Sequence, residues 1–406
     1  MDLPFISAIT QEPVQAFLIE HENDDEKKLV LKQKEINGIP TSAIATQLIG
    51  RRKAKAKLPT WYKTRGIVYP PAINLEQCSS EATAIYKTQI INSFLSIRHK
   101  AADLTGGFGV DTYFLSFLFE FIYYTEPNTT LFEITRHNHR QLGVYNILYH
   151  NLPGEDFLKQ IDNDFDLIYI DPSRRDEMSR KVYRLSDCIP DINKLQPDLF
   201  HKSRFVLVKA SPLLDLQQGL REIQCVKRVF VVSVHNECKE LLFLTEKNYS
   251  EEPIVEAVDL YENGKVRSTF HFSLSEERKA SVISDEPGGF LYEPNTSILK
   301  AGAFKLIAEK FGLTKLASNT HLYTSSALVP DFPGKTFLIE CLNPDSKQLN
   351  ERLPDGQVNV VSRNYPLTTD EIKKKWQLRD GGEKFLIAFS TTKRKHLALC
   401  AKVKGT

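Results

Sequence analysis

Asp103-Leu104-Thr105-Gly106-Gly107-Phe108-Gly109-Val110-Asp111 is the stretch of this chain best equipped to hold a small molecule. Its glycines let the backbone turn tightly and approach a ligand with no Cβ in the way. Glu126 follows about twenty residues later, where a nucleotide-binding sheet sets an acid on the two ribose hydroxyls. Two cofactor classes use such a loop. A dinucleotide asks for Gly-x-Gly-x-x-Gly, and counting from Gly107 and Gly109 the third glycine falls on Thr112. Asp103 would also repel a pyrophosphate, whereas a carboxylate suits a cationic amino-acid end. S-adenosylmethionine carries an ammonium and a sulfonium. We therefore assign Asp103, Thr105, Gly106, Gly107, Phe108, Gly109, Asp111 and Glu126 to that cofactor. Asp156 could accept from the adenine amino group, and Phe157 could pack on the ring. Taken singly, Asp156 is equally an exposed turn acid and the glycine loop a structural turn. The ordered set carries the assignment.

The second chemical feature is Ile168-Tyr169-Ile170-Asp171-Pro172-Ser173-Arg174-Arg175. Ligands of these sheets bind beyond the carboxyl ends of the strands, so Asp171 also borders the cofactor. An Asp carboxylate or Pro carbonyl here can accept from an amine and aim its lone pair at a methyl group, and positioning supplies much of the rate of such a displacement. Enzymes that methylate exocyclic base amines resemble this segment but carry Asp/Asn-Pro-Pro-Tyr/Phe. Ser173 and Arg174 depart from that pattern, which leaves the acceptor open. A guanidinium can stack in place of an aromatic ring, and Tyr183 is a second stacking candidate. Arg174, Arg175, Arg180, Lys181 and Arg184 make the next loop basic, as a phosphate-bearing substrate requires. Arg175 could instead pair with Asp176 or Glu177 and order the loop. Lys209 ends a later strand and either contacts substrate oxygen or phosphate, or lies along the surface. His235 is a candidate base or a hydrogen-bonded edge residue. The candidate catalytic set is thus Asp171, Pro172, Arg174, Arg175 and Lys209. Gly-x-Ser-x-Gly is absent, which argues against a hydrolase. No Cys/His grouping has zinc spacing, so no metal is expected.

Elements must hold these residues in place. From His99 short apolar runs alternate with helical segments, as in an α/β sheet. Strands are predicted near 100–104, 121–125, 166–170, 205–208, 229–234 and 241–245, with a weaker one near 146–149. Helices are predicted over 110–119, 128–142 and 213–223. The last two strands are too close for a crossover helix and suggest an antiparallel pair at one edge. Upstream, the chain reads as helical and polar, with helix-forming composition at 12–18 and 24–36. A further helix runs from Ser79 or Ser80 as N-cap to about Leu95. Downstream, Asn263-Gly264 marks a hairpin between 257–260 and 268–274. A helix is expected over 297–311. Strand, strand, helix, strand, strand then follow at 336–341, 358–363, 368–376, 385–389 and 397–402.

The segments DLTGGFGVDT, YYTEPN and DLIYIDPSRR resemble a class I methyltransferase domain. With Gln77-Cys78-Ser79-Ser80-Glu81-Ala82-Thr83, Tyr292-Glu293-Pro294-Asn295 and Arg363-Asn364-Tyr365-Pro366-Leu367, the chain is similar to a bacterial family, common in Bacteroidetes, of THUMP-like-domain methyltransferases. The resemblance implies an α/β fold with a Rossmann-like, mostly parallel seven-stranded core and an antiparallel edge. A helical region would occupy 1–95, the cofactor-binding domain 96–250, a ferredoxin-like segment 251–325 and a THUMP-like domain 326–406. It implies structured RNA, tRNA or rRNA, as partner, since THUMP domains in general bind RNA.

The bulk properties narrow the alternatives. A net charge of +2 over 406 residues does not announce a nucleic-acid partner, but Arg51 to Arg65 holds seven basic residues and no acid. Such a run either neutralises phosphates or is a solvated helix face. No apolar run is long enough to span a bilayer and the first residues lack a secretion pattern, so a cytoplasmic location is expected. The leading reading is an RNA base methyltransferase. A protein or small-molecule methyltransferase, and a non-catalytic RNA-binding scaffold, remain the alternatives.

Overall fold

The computed structural model describes residues 3–162, 164–174 and 184–403, with the side chain of Arg174 outside the description. The chain forms two compact units, Met1–His235 with Lys239–Glu251 and Leu260–Arg267, and Asn236–Cys238 with Glu252–Asp259 and Ser268–Thr406.

The helices of the first unit include α1 (Thr41–Lys57), α2 (Ala72–Gln77), α3 (Glu81–Phe94), α4 (Val110–Leu115), α5 (Thr129–Gln141), α6 (Gly154–Gln160), α7 (Ile192–Lys202) and α8 (Leu216–Glu222), and shorter helices at Leu3–Ile9, Glu12–Glu20, Glu26–Lys32 and Pro59–Lys63 precede or join them. Its main strands are β1 (Lys100–Asp103), β2 (Phe121–Thr125), β3 (Ile147–His150), β4 (Phe165–Ile170), β5 (Ser203–Ala210), β6 (Val226–Val234) and β7 (Glu237–Glu246). They lie in the order β6-β7-β5-β4-β1-β2-β3. Strands β3, β2, β1, β4 and β5 are parallel, and β7 runs antiparallel to β5. Strand β7 lies between β5 and β6. Its run Leu241-Leu242-Phe243-Leu244 is wholly buried, the pattern of a strand covered on both faces. The fold is a Rossmann-like, mostly parallel α/β sheet.

Local chemistry explains the helices that frame the site. Ser80, not Ser79, caps α3 by accepting from the Thr83 N–H at 3.3 Å. Asn128 caps α5 through the Leu131 N–H at 3.0 Å. The buried residues Leu131, Phe132, Ile134, Thr135, Asn138 and His139 of α5 recur at helical spacing and form its inner face. Helix α4 is shorter than expected, ending at Leu115. Helices α6 and α7 also fall between predicted strands, as the alternation of the sequence implies.

The second unit holds a sheet in the order 314–317, 320–325, 290–294, 334–342, 395–402, 384–390, 359–363. Only Asn359–Arg363 pairs in parallel, with Lys384–Ser390. Residues alternate between its faces: Leu386, Ala388 and Leu399 join Leu349, Leu353 and Ile372 on one, while Ile387, Phe389 and Ala398 join Leu291, Leu322 and Phe337 on the other. Trp376, at the end of the helix Thr369–Trp376, packs half-buried against the first cluster. Phe290–Pro294 pairs directly with Gly334–Leu342, so the segments before and after residue 325 share one sheet. The helix expected over 297–311 is two, Thr296–Ala301 and Leu306–Phe311, because Gly302 takes φ 83° and ends the first. The Tyr292 and Arg363 motifs meet through Arg363, which donates to Glu293 at 2.7 Å. Among the described residues no helix is long and apolar enough to cross a membrane.

Candidate active site

The loop after β1 turns between the ends of β1, β2 and β4, on the side where the strand order reverses. Each glycine there has its own reason. A Cβ on Gly106 would lie 2.1 Å from the ring of Tyr124, which is wholly buried and donates its hydroxyl to Gly107 O at 2.6 Å. A Cβ on Gly109 would meet Thr135 at 2.4 Å and His139 at 2.6 Å. Gly107 differs: its φ is 55°, yet nothing but Thr105 O, at 3.8 Å, stands near. The loop is thus packed from behind and open in front. His139 Nε2 contacts Gly109 O at 2.9 Å and Nδ1 faces the Tyr149 hydroxyl at 3.0 Å. A carbonyl only accepts, so Nε2 carries the proton. Burial pushes the His139 pKa down to about 4, which keeps the ring neutral. Trp61 is wholly buried, 6.3 Å from Phe108 and 4.9 Å from Tyr113 between ring centres.

In front of the loop is a cavity of about 340 Å³. Its walls include Asp103, Thr105, Gly106, Gly107, Phe108, Gly109, Asp111, Glu126 and Asp171, so the structure brings together most of the residues singled out from sequence. Asp103 is buried, accepting from Thr105 N at 3.1 Å and from the Thr112 hydroxyl at 2.6 Å. Burial, with the charges of Asp111 and Asp171, pushes its pKa up to about 7. Glu126 accepts from Gly107 N at 3.0 Å and Asn128 N at 2.8 Å. Burial raises its pKa as well. A carboxylate has about four acceptor positions, so two stay open for a diol. Thr105 Oγ1 accepts from Asp171 N at 2.6 Å and so ties the glycine loop to the loop after β4.

Other assignments need correction. Asp156 and Phe157 do not line the cavity; Pro153, Gly154 and Glu155 do. Helix α6 begins at Gly154, and successive helical residues point about 100° apart. Asp156 therefore turns outward to Lys159 at 3.1 Å. Phe157 goes into the core against Tyr123, His150 and Phe165. Pro172 is buried and is not in the cavity wall. His235 is exposed, paired with Glu262 at 3.2 Å, and lies away from the cavity. Arg175, Asp176, Glu177, Arg180, Lys181 and Tyr183 lie outside the described residues, as does the Arg174 side chain.

The basic run has acid partners the linear sequence hid. Arg51 bonds Glu22 at 2.9 Å, Arg52 pairs with Glu26, Lys53 with Glu76 and Arg65 with Glu12. Lys57 donates to the carbonyls of Leu75 and Glu76 at 2.7 and 2.8 Å, capping α2. Most of the basic residues of this segment are thus engaged by four acids or by backbone carbonyls of their own unit.

Beneath the cavity lies a buried charge network that sequence reading missed. Lys87 contacts Asp111 at 3.0 Å, Glu240 at 2.9 Å and the Ser79 hydroxyl at 3.0 Å. Asp111 accepts from Ser79 at 2.6 Å and Tyr169 at 2.8 Å. Against the cost of burial, Lys87 and Lys209 hold the Asp111 carboxyl below its usual range. Lys209 reaches Asp171 Oδ2 at 2.5 Å. Burial pulls its ammonium down, but Asp171, Asp111 and Glu240 outweigh that and hold it above the usual lysine range. Among the described residues no group of three or more His, Cys, Asp or Glu could hold a metal ion.

Residues 290–333 match the family model of a ferredoxin-like domain, and residues 334–402 that of a THUMP domain-like family. A crystal structure of a Porphyromonas gingivalis W83 protein, provisionally classed as a methyltransferase, is 32% identical, with 100% of both chains covered and a TM-score of 0.85. The chain belongs to the family of THUMP-like-domain methyltransferases. Partial likenesses to this THUMP-like-domain protein include a Streptococcus mutans protein, also provisionally a methyltransferase, in complex with SAH (16% identity, 40% of this chain and 95% of that one, TM-score 0.30). Another is an rRNA methylase of Streptococcus thermophilus (14% identity, 41% and 93%, TM-score 0.29). No curated protein matches the chain.

Proposed function

We propose that the chain is an S-adenosylmethionine-dependent methyltransferase acting on a base of structured RNA, tRNA or rRNA, in the cytoplasm. One observation carries the cofactor half: the glycine loop, Glu126 and Asp171 border a single cavity of about 340 Å³, within the range of small-molecule sites. The residues fit the group. The open front of Gly107 leaves room for a ligand against the backbone. Glu126 would hold the ribose hydroxyls, Asp103 and the loop carbonyls the amino-acid end, and Gly154 and Glu155 the adenine side. The acids about the cavity favour a cation and disfavour a pyrophosphate. When bound, the cofactor supplies an electrophilic methyl group. The protein's part is to position the acceptor, and Asp171 does this with its backbone fixed by Thr105 and Oδ2 by Lys209.

The RNA half rests on the THUMP-like match and on the basic loop at 174–184. The paired run 51–65 no longer supports it. Residues 96–250 would carry the chemistry, with 1–95 closing one side through Asn74, Gln77, Cys78 and Ser79. The ferredoxin-like segment, matched at 290–333, and the THUMP-like domain, matched at 334–402, would engage RNA. The test is transfer of labelled methyl to total RNA from a strain lacking the gene, followed by nucleoside mass spectrometry. A labelled nucleoside is expected, and Asp171→Ala should abolish labelling while calorimetry shows cofactor binding intact. Label on protein alone refutes the RNA reading.

A further inference from the structure

Asp171 and Lys209 present an acceptor and a donor side by side. Lys209 donates to Oδ2 at 2.5 Å, and the described residues give that ammonium no second hydrogen bond. The side chain of Asp171 is 31% exposed and lines the cavity; that of Lys209 is 11% exposed and is not in the cavity wall, so its ammonium reaches the site beside Asp171 Oδ2. Oδ1 of Asp171 has no hydrogen-bond partner among the described residues, and the backbone N–H is held by Thr105. A neighbouring N–H and C=O on one ring edge would complement this pair.

We infer that the methyl acceptor is the ring N–H of a lactam or imide edge, as in guanine or uracil, rather than an exocyclic amine; this rests on the methyltransferase reading above. The two acceptors develop opposite charge. An exocyclic amine becomes cationic as it attacks, and an ammonium beside the same carboxylate opposes that. A lactam nitrogen surrenders its proton, and negative charge moves onto the neighbouring carbonyl oxygen. An ammonium placed there stabilises that oxygen as a fixed donor does an oxyanion. The step balances. The new N–CH3 bond forms as the carbon–sulfur bond breaks, with its electron pair returning to sulfur. The N–H proton passes to Asp171 Oδ1, so sulfonium becomes thioether and carboxylate becomes carboxyl. Lys209 keeps its protons.

The wild-type product decides first. Labelled total RNA, digested and separated by chromatography and mass, should carry the methyl on N1 of guanine or N3 of uracil. Label on adenine N6, cytosine N4, guanine N2 or a carbon overturns the inference while leaving the RNA reading intact. No label in RNA at all overturns the RNA reading. The lactam inference is then decided by titrating GMP, UMP, AMP and CMP into the S-adenosylhomocysteine-loaded protein by calorimetry. Tighter binding of GMP or UMP, lost in Lys209→Met, supports it; equal binding of all four overturns it. Lys209→Met should lower kcat by about 10²–10³-fold, with S-adenosylhomocysteine affinity unchanged as the check on folding. Lys209→Arg keeps the charge if the methionine variant folds poorly, and should retain more of kcat. Full kcat in folded Lys209→Met, or a loss in Lys209→Arg as deep as in Lys209→Met, overturns the role of the ammonium.

Discussion

Replacing Asp103 with Asn separates its electrostatics from its hydrogen bonding. Burial and two neighbouring carboxylates raise the pKa from 3.8 to about 7. The folded state therefore holds this proton more tightly than the unfolded chain does. Its stabilising contribution is full below about pH 4 and is lost as pH rises to about 7. A shift of about three units, at about 1.4 kcal/mol each, sets a ceiling of about 4 kcal/mol on the ionisation penalty. The amide removes the charge, and its oxygen can still accept from Thr105 N while its NH2 donates to the Thr112 hydroxyl. Allowing about 1–2 kcal/mol for poorer hydrogen bonds, Asp103→Asn should be about 2–3 kcal/mol more stable than wild type at pH 8.5. It should show no advantage at pH 4.5. Urea denaturation at the two pH values measures this. Calorimetry with S-adenosylmethionine at pH 8.5 should show affinity falling at least about tenfold, because the variant lacks the anion proposed to face the cationic end. An equal stability difference at both pH values would mean that Asp103 does not titrate in this window.

Four further variants probe the framework and the basic run. Gly106→Ala drives a Cβ into the buried Tyr124 ring and should cost about 1–3 kcal/mol and cofactor binding; Gly107→Ala, in open space but at φ 55°, should cost about 1 kcal/mol and keep the fold. Equal thermal melts for the two would contradict the packing argument. Lys87→Met leaves Asp111 and Glu240 buried without their shared cation and should cost about 3–5 kcal/mol in urea unfolding; a loss below about 1 kcal/mol would show the network to be dispensable. Arg52→Gln with Lys53→Gln should change RNA affinity less than about twofold in filter binding and leave its salt dependence unaltered, since both cations are already paired. A drop of tenfold would restore that segment to the RNA surface.

The parts of the site legible in sequence are those whose meaning is local. A glycine loop between strand and helix, with acids at either side, needs no knowledge of the tertiary fold. Asp156 and Phe157 fall outside the cavity because the start of α6 decides which of four successive residues face it, and Gly154 and Glu155 do. Lys87 was invisible because its partner Glu240 is 153 residues away. The basic run misled for the same reason, since the acids that answer it, Glu12, Glu22, Glu26 and Glu76, lie in segments before and after it. The inner position of β7 was readable from four consecutive buried apolar residues, but its short loop to β6 drew attention to the edge. Gly302 is a helix stop that periodicity alone overran.

The two tryptophans of this chain are divided between its units. Trp61 is sealed against Phe108 of the cofactor loop, whereas Trp376 sits half-buried in the second unit. The protein thus contains one tryptophan per unit, in differing polarity. Trp61→Phe and Trp376→Phe each leave a single tryptophan, so, with excitation that selects tryptophan over tyrosine, the melting of either unit can be followed optically in the intact chain. Quenching or shift of Trp61 emission on titration with a ligand would give the occupancy of the loop without any label.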